Sequence, residues 1–273
     1  MTASFGVVPK IRKQQISDLL SQGKRLDGRG LTSYREIKIE VGLIDKALGS
    51  ALVSLGNTKV LVGIKIEEGK PFPDTPEDGV QIVNAELVPL ASPSFETGPP
   101  SEEAIELARV VDRGIRESKT IDTKKLCIIP GKNVFMVFID IYVLDHDGNL
   151  FDASALAAIS ALLNAKMKEF VVKEDGELEF KENYIKLPIT NCPVEITLAK
   201  IGTTMIVDPS LEEESVTDAR ITIAIDAEGR LCAIQKSLPG TMMPEEIIEA
   251  VQIAQVKAKE FRDTVLKGFI NHE

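Results

Sequence analysis

The spacing of apolar residues changes several times along this chain, and each change marks a boundary between elements. From Pro9 to Leu20 the apolar positions Ile11, Ile16, Leu19 and Leu20 share one side of a helix and Gly23 closes the run, which predicts a short amphipathic helix. A charged turn, Lys24 to Arg29, follows. Alternation at Ile37, Ile39 and Val41 predicts a half-buried strand, and Gly49–Leu55 and Lys59–Ile66, parted by Gly56, Asn57 and Thr58, predict a hairpin. A further strand covers about Val80 to Leu90. Pro99 and Pro100 then break the chain, Ser101 can cap a helix, and Glu102 and Glu103 suit its positive end, so a helix runs through Lys119. Val134 to Leu144 is apolar apart from Asp140, which predicts a strand buried on both faces that closes in the turn Asp145–Asn149. The stretch Asp152–Leu163 is apolar on nearly every side and reads as a core helix.

A hairpin with Glu174, Asp175 and Gly176 at its tip follows, and Asn191-Cys192-Pro193 opens a second half. There Val194–Ala199 and Thr203–Val207 flank Gly202, and Ala219–Ile225 and Leu231–Lys236 flank the turn Asp226–Gly229. Pro244 starts a long helix to about Leu266, with Ile247, Ile248, Val251, Ala254, Ala258, Phe261 and Val265 on one side. Leu55-Gly56-Asn57-Thr58 ahead of one strand echoes Ile201-Gly202-Thr203-Thr204 ahead of another, as two related halves or a coincidence of short matches would both produce. The order of elements predicts an α+β fold: an N-terminal helix and turn over 1–30, a first half over 31–170 and a second over 190–268, forming one compact unit.

Composition narrows the class. The chain has 273 residues, 44% of them hydrophobic, enough for one large core, and no low-complexity tract that would act as a linker. No apolar stretch reaches the roughly 20 residues that span a bilayer, and the first residues lack a signal-peptide pattern, so a cytoplasmic protein without a membrane partner is expected. Cys127, Cys192 and Cys232 are odd in number and widely spaced; each lies in an apolar run and reads as a small core residue in a reducing compartment. Signatures of P-loop nucleotide binding, of a zinc protease helix and of a serine-hydrolase elbow are absent.

A formal net charge of -10 gives one feature its interest: Arg109, Arg113 and Arg116 fall at i, i+4 and i+7 of the helix that Ser101 starts. At about 100° per residue they occupy an arc of roughly 60°. One reading is a solvated face, with Glu106, Asp112 and Glu117 each within helical reach of an arginine. The other is a local site for a phosphate backbone.

Four pieces occur in order: Arg25-Leu-Asp-Gly-Arg29, the stretch Gly49–Val53, Gly98-Pro-Pro100 leading to the arginine-bearing helix, and Val207-Asp-Pro209 ahead of an acidic cluster. As an ordered set they resemble ribonuclease PH and its relatives in the RNA exosome, over nearly the whole chain, and the non-catalytic archaeal subunits of that family above all. The resemblance implies a ribonuclease PH fold with two related sheet-and-helix halves. It implies an alternating hetero-hexameric ring, a trimer of heterodimers, in which this chain alternates with a catalytic ribonuclease PH-like subunit. RNA-binding cap subunits and single-stranded RNA entering 3′ end first complete the expected partners. The catalytic partner uses inorganic phosphate and magnesium for 3′-5′ phosphorolysis, and this chain is expected to hold no cofactor of its own. The arginines carried over to the RNA path are Arg109 and Arg113, with Arg116 contested by Asp112.

Active relatives follow their Gly-Pro with Ser-Arg-Arg, whereas Pro100 here precedes Ser101, Glu102 and Glu103. Where they carry Gly-Thr-Arg-Thr, this chain has Gly148-Asn149-Leu150-Phe151, and leucine offers phosphate no donor. A phosphorolytic site needs several positive groups in one place, so no independent active site and no metal site are expected. The alternative is an autonomous phosphorolytic exoribonuclease using Glu212 and Asp218, which keep the six-residue spacing of the family's acidic pair. Against that, Glu212, Glu213 and Glu214 also suit a solvated turn or a helix start. His146 and His272, without a partner in sequence reach, are expected at the surface.

Overall fold

The computed structural model describes residues 7–172 and 178–270, with side chains described for 11–171 and 179–269. Helix α1 (Val7–Ser21) is followed by strands β1 (Ile37–Val41), β2 (Gly49–Leu55), β3 (Thr58–Gly69) and β4 (Val80–Leu87), helix α2 (Glu102–Glu117), β5 (Cys127–Ile129), β6 (Asn133–Asp145) and α3 (Leu150–Asn164). Then come β7 (Lys166–Val172), β8 (Leu178–Lys186), β9 (Val194–Ile201), β10 (Thr204–Val207), α4 (Leu211–Glu214), β11 (Ala219–Ile225), β12 (Leu231–Ser237), α5 (Pro244–Thr264) and α6 (Lys267–Ile270). One sheet has the order β1-β2-β3-β6-β4 with β5 attached to β6, and a second has the order β10-β9-β11-β12. Every pairing is antiparallel except β4 with β6. Strands β7 and β8 form a separate ribbon. The tip expected at 174–176 lies outside the described residues.

Helix α3 is the centre of the molecule, packing on β2 and β3 on one side and on β9 on the other. Its sequence requires this: Ala153, Ala157, Ala158, Ala161 and Leu162 are fully buried, so apolar surface leaves water on all sides of the helix. The approach to β2 is tight enough that a Cβ on Gly49 would sit 2.5 Å from the Ala161 carbonyl oxygen. Helix α2 packs beside α3, and α5 covers the far face of the second sheet through Ala250, Ala254, Ala258 and Phe261. The layers therefore run sheet, helices α2 and α3, sheet, helix α5.

The two short matches read from the sequence are both two-residue hairpin turns. Gly56 (φ +58°) joins β2 to β3 and Gly202 (φ +60°) joins β9 to β10, each a first turn residue in the left-handed region that glycine tolerates.

Several expectations change. Strand β6 is buried on one face, with Val137, Ile139, Ile141 and Val143 inward, while Phe138, Asp140 and Tyr142 point to the outer face. An apolar run cannot distinguish the two cases by itself. On α5, Ile248 is 60% exposed, because the alanine ridge already fills the contact. Only Cys192 is buried, with its thiol pushed up to about 11 by burial; Cys127 and Cys232 lie at strand positions half open to solvent.

Candidate nucleic-acid interface

Helix α2 begins as its sequence requires: Ser101 is extended (ψ 165°) and its hydroxyl accepts from the Ala104 N–H at 3.2 Å. Ala104, Leu107, Val110, Val111, Gly114 and Ile115 face the core, so the arginines occupy the opposite side. They do not behave alike. Arg116 forms a two-pronged pair with Asp112, at 3.1 and 2.8 Å, and Asp112 is itself held by the Gln81 amide at 2.9 Å. Arg113 leans inward, donating to Gln235 Oε1 of β12 at 3.1 Å beside the buried Glu195. Arg109 is exposed, and among the described residues no ion pair engages either Arg109 or Arg113. The self-paired reading thus fits Arg116 alone. Glu106, which helical spacing offered to Arg109, turns instead to Ser237 (Oγ to Oε1 2.5 Å) and to Arg220 (3.7 Å).

Beside α2 lies a cavity of about 420 Å³, lined by Glu103, Glu106, His146, Leu150, Phe151, Glu214 and Arg220 among others. Its wall includes Leu150 and Phe151, from the segment that the resemblance sets against the phosphate-holding turn of active relatives. Asn149 enters α3 from a left-handed conformation (φ 54°), which leaves the N-terminus of the helix open to an anion. That anion comes from within the chain, since Glu214 Oε1 accepts the Asn149 N–H at 2.9 Å. The Arg220 guanidinium stacks over the Phe151 ring, 4.3 Å from its centroid, and stands 3.7 and 3.8 Å from Glu106 and Glu214. Burial raises the Glu214 carboxyl, against the pull of Arg220, and burial lowers His146. One guanidinium thus faces three carboxylates, Glu103, Glu106 and Glu214. A phosphate dianion entering here would meet more negative charge than positive.

The three consecutive glutamates have separate roles. Ser210 and Glu213 form a capping box that starts α4, which bears out the helix start, but Glu213 is buried and holds Arg25, with Arg25 Nε 2.9 Å from Oε1. Glu214 closes the N-terminus of α3, and only Glu212 is solvated, paired with Arg12 at 3.0 Å. Asp218 is bound by Lys13 and by the Gly202 N–H at 2.8 Å. Both members of the spaced acidic pair are therefore engaged by α1. Among the described residues no group of three or more His, Cys, Asp or Glu could hold a metal ion.

The family's other motif residues build a buried ionic hub. Arg25 Nη1 and Nη2 each donate at 2.8 Å, to the carbonyls of Val207 and Asp208. The fully buried Asp208 carboxylate accepts from Arg35 Nη2 at 2.7 Å, Arg29 Nη1 at 2.6 Å and Asn149 Nδ2 at 2.9 Å. The hub ties the N-terminal turn, the start of α3 and the second sheet together.

His146 is not a surface residue as expected: it is half-buried on the cavity wall, stacked on Phe95 with centroids 5.5 Å apart. His272 lies outside the described residues. Sequence reading passed over Arg220, Glu195 and Gln235. The signal for the first was available, because alternation along β11 places Arg220 on the same face as Thr222, toward α2 and α3, where a lone cation is out of place.

Comparison with known proteins agrees with this architecture. A family model described as 3′ exoribonuclease family, domain 1, matches residues 33–168, and domain 2 of the same family matches residues 191–257. The exosome complex component Rrp42 of Thermococcus onnurineus is 54% identical over 263 residues, covering 96% of this chain and 97% of its own length. Its counterpart in Methanothermobacter thermautotrophicus is 48% identical over 261 residues, covering 95% and 96%. A chain of the solved structure titled "archaeoglobus fulgidus exosome with RNA bound to the active site" superposes with a TM-score of 0.86 at 46% identity, covering 95% of this chain and 100% of that one. Rice Rrp46, at 19% identity and a TM-score of 0.67, shares the fold.

Proposed function

Because the chain belongs to the 3′ exoribonuclease family of ribonuclease PH type, we propose that it is a non-catalytic, RNA-binding structural subunit of an archaeal exosome. It alternates in a ring with a catalytic ribonuclease PH-like subunit, beneath RNA-binding caps, and helps to form that partner's RNA path in the cytoplasm. The observation that carries the non-catalytic reading is the seat at the start of α3, where Glu214 occupies the anion position and Leu150 and Phe151 replace phosphate donors. The partner supplies the phosphorolytic chemistry, with inorganic phosphate and magnesium. Incubating the purified chain alone with RNA, phosphate and magnesium is expected to release no nucleoside diphosphate. Release at a rate comparable with the assembled ring would establish the autonomous enzyme instead.

Arg109 and Arg113 grip backbone phosphates. Among the described residues Arg109 has no ion pair, and Arg113 gives up one hydrogen bond to a neutral amide. Arg116 contributes less because Asp112 already neutralises it. Guanidinium contacts to phosphate carry no base information, so binding should be indifferent to sequence and sensitive to salt. In the ring, measured without phosphate so that RNA is not consumed, Arg109→Ala with Arg113→Ala should weaken RNA binding at least tenfold. The slope of log K against log salt should fall by about 1.4, at roughly 0.7 per single-strand phosphate contact. Arg116→Ala should change affinity less than threefold. An unaltered slope in the double variant would remove these two arginines from the RNA path.

A further inference from the structure

On β9, Glu195 is 5% exposed, and no described residue donates a hydrogen bond to its Oε2. Its place is made by Gly114, in the middle of α2, where an added Cβ would collide with Glu195 Oε1. Glycine inside a helix costs about 1 kcal/mol relative to alanine, so α2 carries this notch against its own helical preference. Next to the notch is the half-buried Arg113, which lines a gap of about 10 Å³ together with Glu195, Thr222 and Gln235. A gap of that size admits at most a water molecule, so any charge that answers Glu195 has to come from the chain itself.

Few groups can do so. Arg113 faces Glu195 from α2 and Asp152 from α3, while its neighbours on β11 and β12, Thr222, Ala224, Ala233 and Gln235, carry no charge. Arg220, farther along β11, stands against Glu106 and Glu214. Burial, and then the Asp152 charge, hold the Glu195 carboxyl well above the ordinary range, and Arg113 is the cation that opposes them. A buried carboxylate with one available cation ionises only by claiming it.

We propose that Glu195 is a positioning residue for Arg113, its proton deciding whether the guanidinium is drawn toward the notch under α2 or left to an RNA phosphate. With Glu195 neutral, Arg113 is held by one hydrogen bond to the Gln235 amide at 3.1 Å, and a phosphate offers a stronger, charge-assisted partner. With Glu195 ionised, carboxylate and phosphate compete for the same guanidinium, and the carboxylate does so from a buried place where attraction is less screened. RNA on Arg113 withdraws the counter-charge from Glu195 and so favours its protonated form. By linkage, RNA affinity falls as pH rises and Glu195 loses its proton. The proposal rests on the reading of Arg113 as an RNA contact and adds what governs that contact.

The test measures a fluorescent single-stranded oligoadenylate on the full-length chain in the assembled ring, without inorganic phosphate. Between about pH 6 and about pH 8.5, wild-type affinity should fall at least threefold and the slope of log K against log salt should drop by about 0.7, one phosphate contact. Glu195→Gln, neutral and of the same shape, should hold both quantities nearly constant over the interval. Arg113→Ala should bind at least threefold more weakly than wild type at the lower pH, and adding Glu195→Gln to it should change nothing further. That coupling is one a purely packing role for Glu195 would not give. Parallel pH profiles for wild type and Glu195→Gln would overturn the proposal, as would an effect of Glu195→Gln that persists without Arg113; weaker binding by Arg113→Ala would then leave the RNA contact standing. An Arg113→Ala ring that binds as wild type at every pH would refute the contact itself, and the proposal with it.

Discussion

Replacing Asp208 by alanine is expected to lower the unfolding free energy by about 3–5 kcal/mol, the range for removing one partner of a buried ion pair. The carboxylate is fully buried and receives Arg35 through its main-chain N–H at 2.9 Å and through Nε at 2.9 Å, as well as Arg29 and Asn149. Alanine would take the buried counter-charge from two guanidinium groups, with side chains 10% and 13% exposed, leaving Arg35 only the partly exposed Asp147 at 3.7 Å and Arg29 the exposed Asp27 at 2.6 Å. It would also place a residue with no compensating hydrogen bond at φ +51°. Urea unfolding at neutral pH reads the effect as a lower midpoint with an unchanged slope. Asp208→Asn retains the shape and the tolerance of the left-handed region, so it should lose less. A change below about 1 kcal/mol for alanine would mean that the hub contributes orientation rather than stability.

This hub explains why part of the site was legible in the sequence and part was not. Ser101, the two glutamates behind it and the arginine spacing are local signals within one helix, and the structure keeps each of them. The motifs Arg25–Arg29 and Val207–Pro209 could be recognised but not interpreted, because their partners are some 180 residues apart in the chain. Glu214 presents the same difficulty. In sequence it is the third of three glutamates, and its contact with the Asn149 N–H exists only once α4 is docked against the turn before α3. The apolar run of β6 and the helical stripe of α5 gave the elements correctly but mistook which faces were covered, since coverage depends on what the fold places opposite. His146 was misread for a related reason: a polar turn is expected at the surface until Phe95, from a loop 51 residues earlier, closes over it.

Asp152 should give the protein a pH dependence opposite in sign to that of Asp208, although Asn149 Nδ2 touches both carboxylates at 2.9 Å. Burial pushes the Asp152 carboxyl up to about 6, against hydrogen bonds from Tyr34 at 2.6 Å and the Thr197 N–H at 3.1 Å. No described residue donates a hydrogen bond to its Oδ1. Burial would raise Asp208 as well, but the bonds and charge of Arg35 outweigh it and hold that group below the ordinary range. Between pH 3.8 and about 6 the unfolded chain has lost the Asp152 proton while the folded one keeps it. Unfolding then releases a proton, so the contribution of Asp152 to stability falls as pH rises through that window. A shift of roughly two units at about 1.4 kcal/mol each amounts to about 3 kcal/mol, fully lost above the folded value. Asp208 behaves conversely, and its contribution is lost as pH falls below the ordinary carboxylate range. Asp152→Asn should remove the first effect and leave the second, so that wild type loses about 3 kcal/mol relative to the variant between pH 4 and pH 7. Parallel stability curves for the two proteins across that interval would show that Asp152 ionises in the folded state as easily as in the unfolded one, and that its cluster admits enough water to solvate the charge.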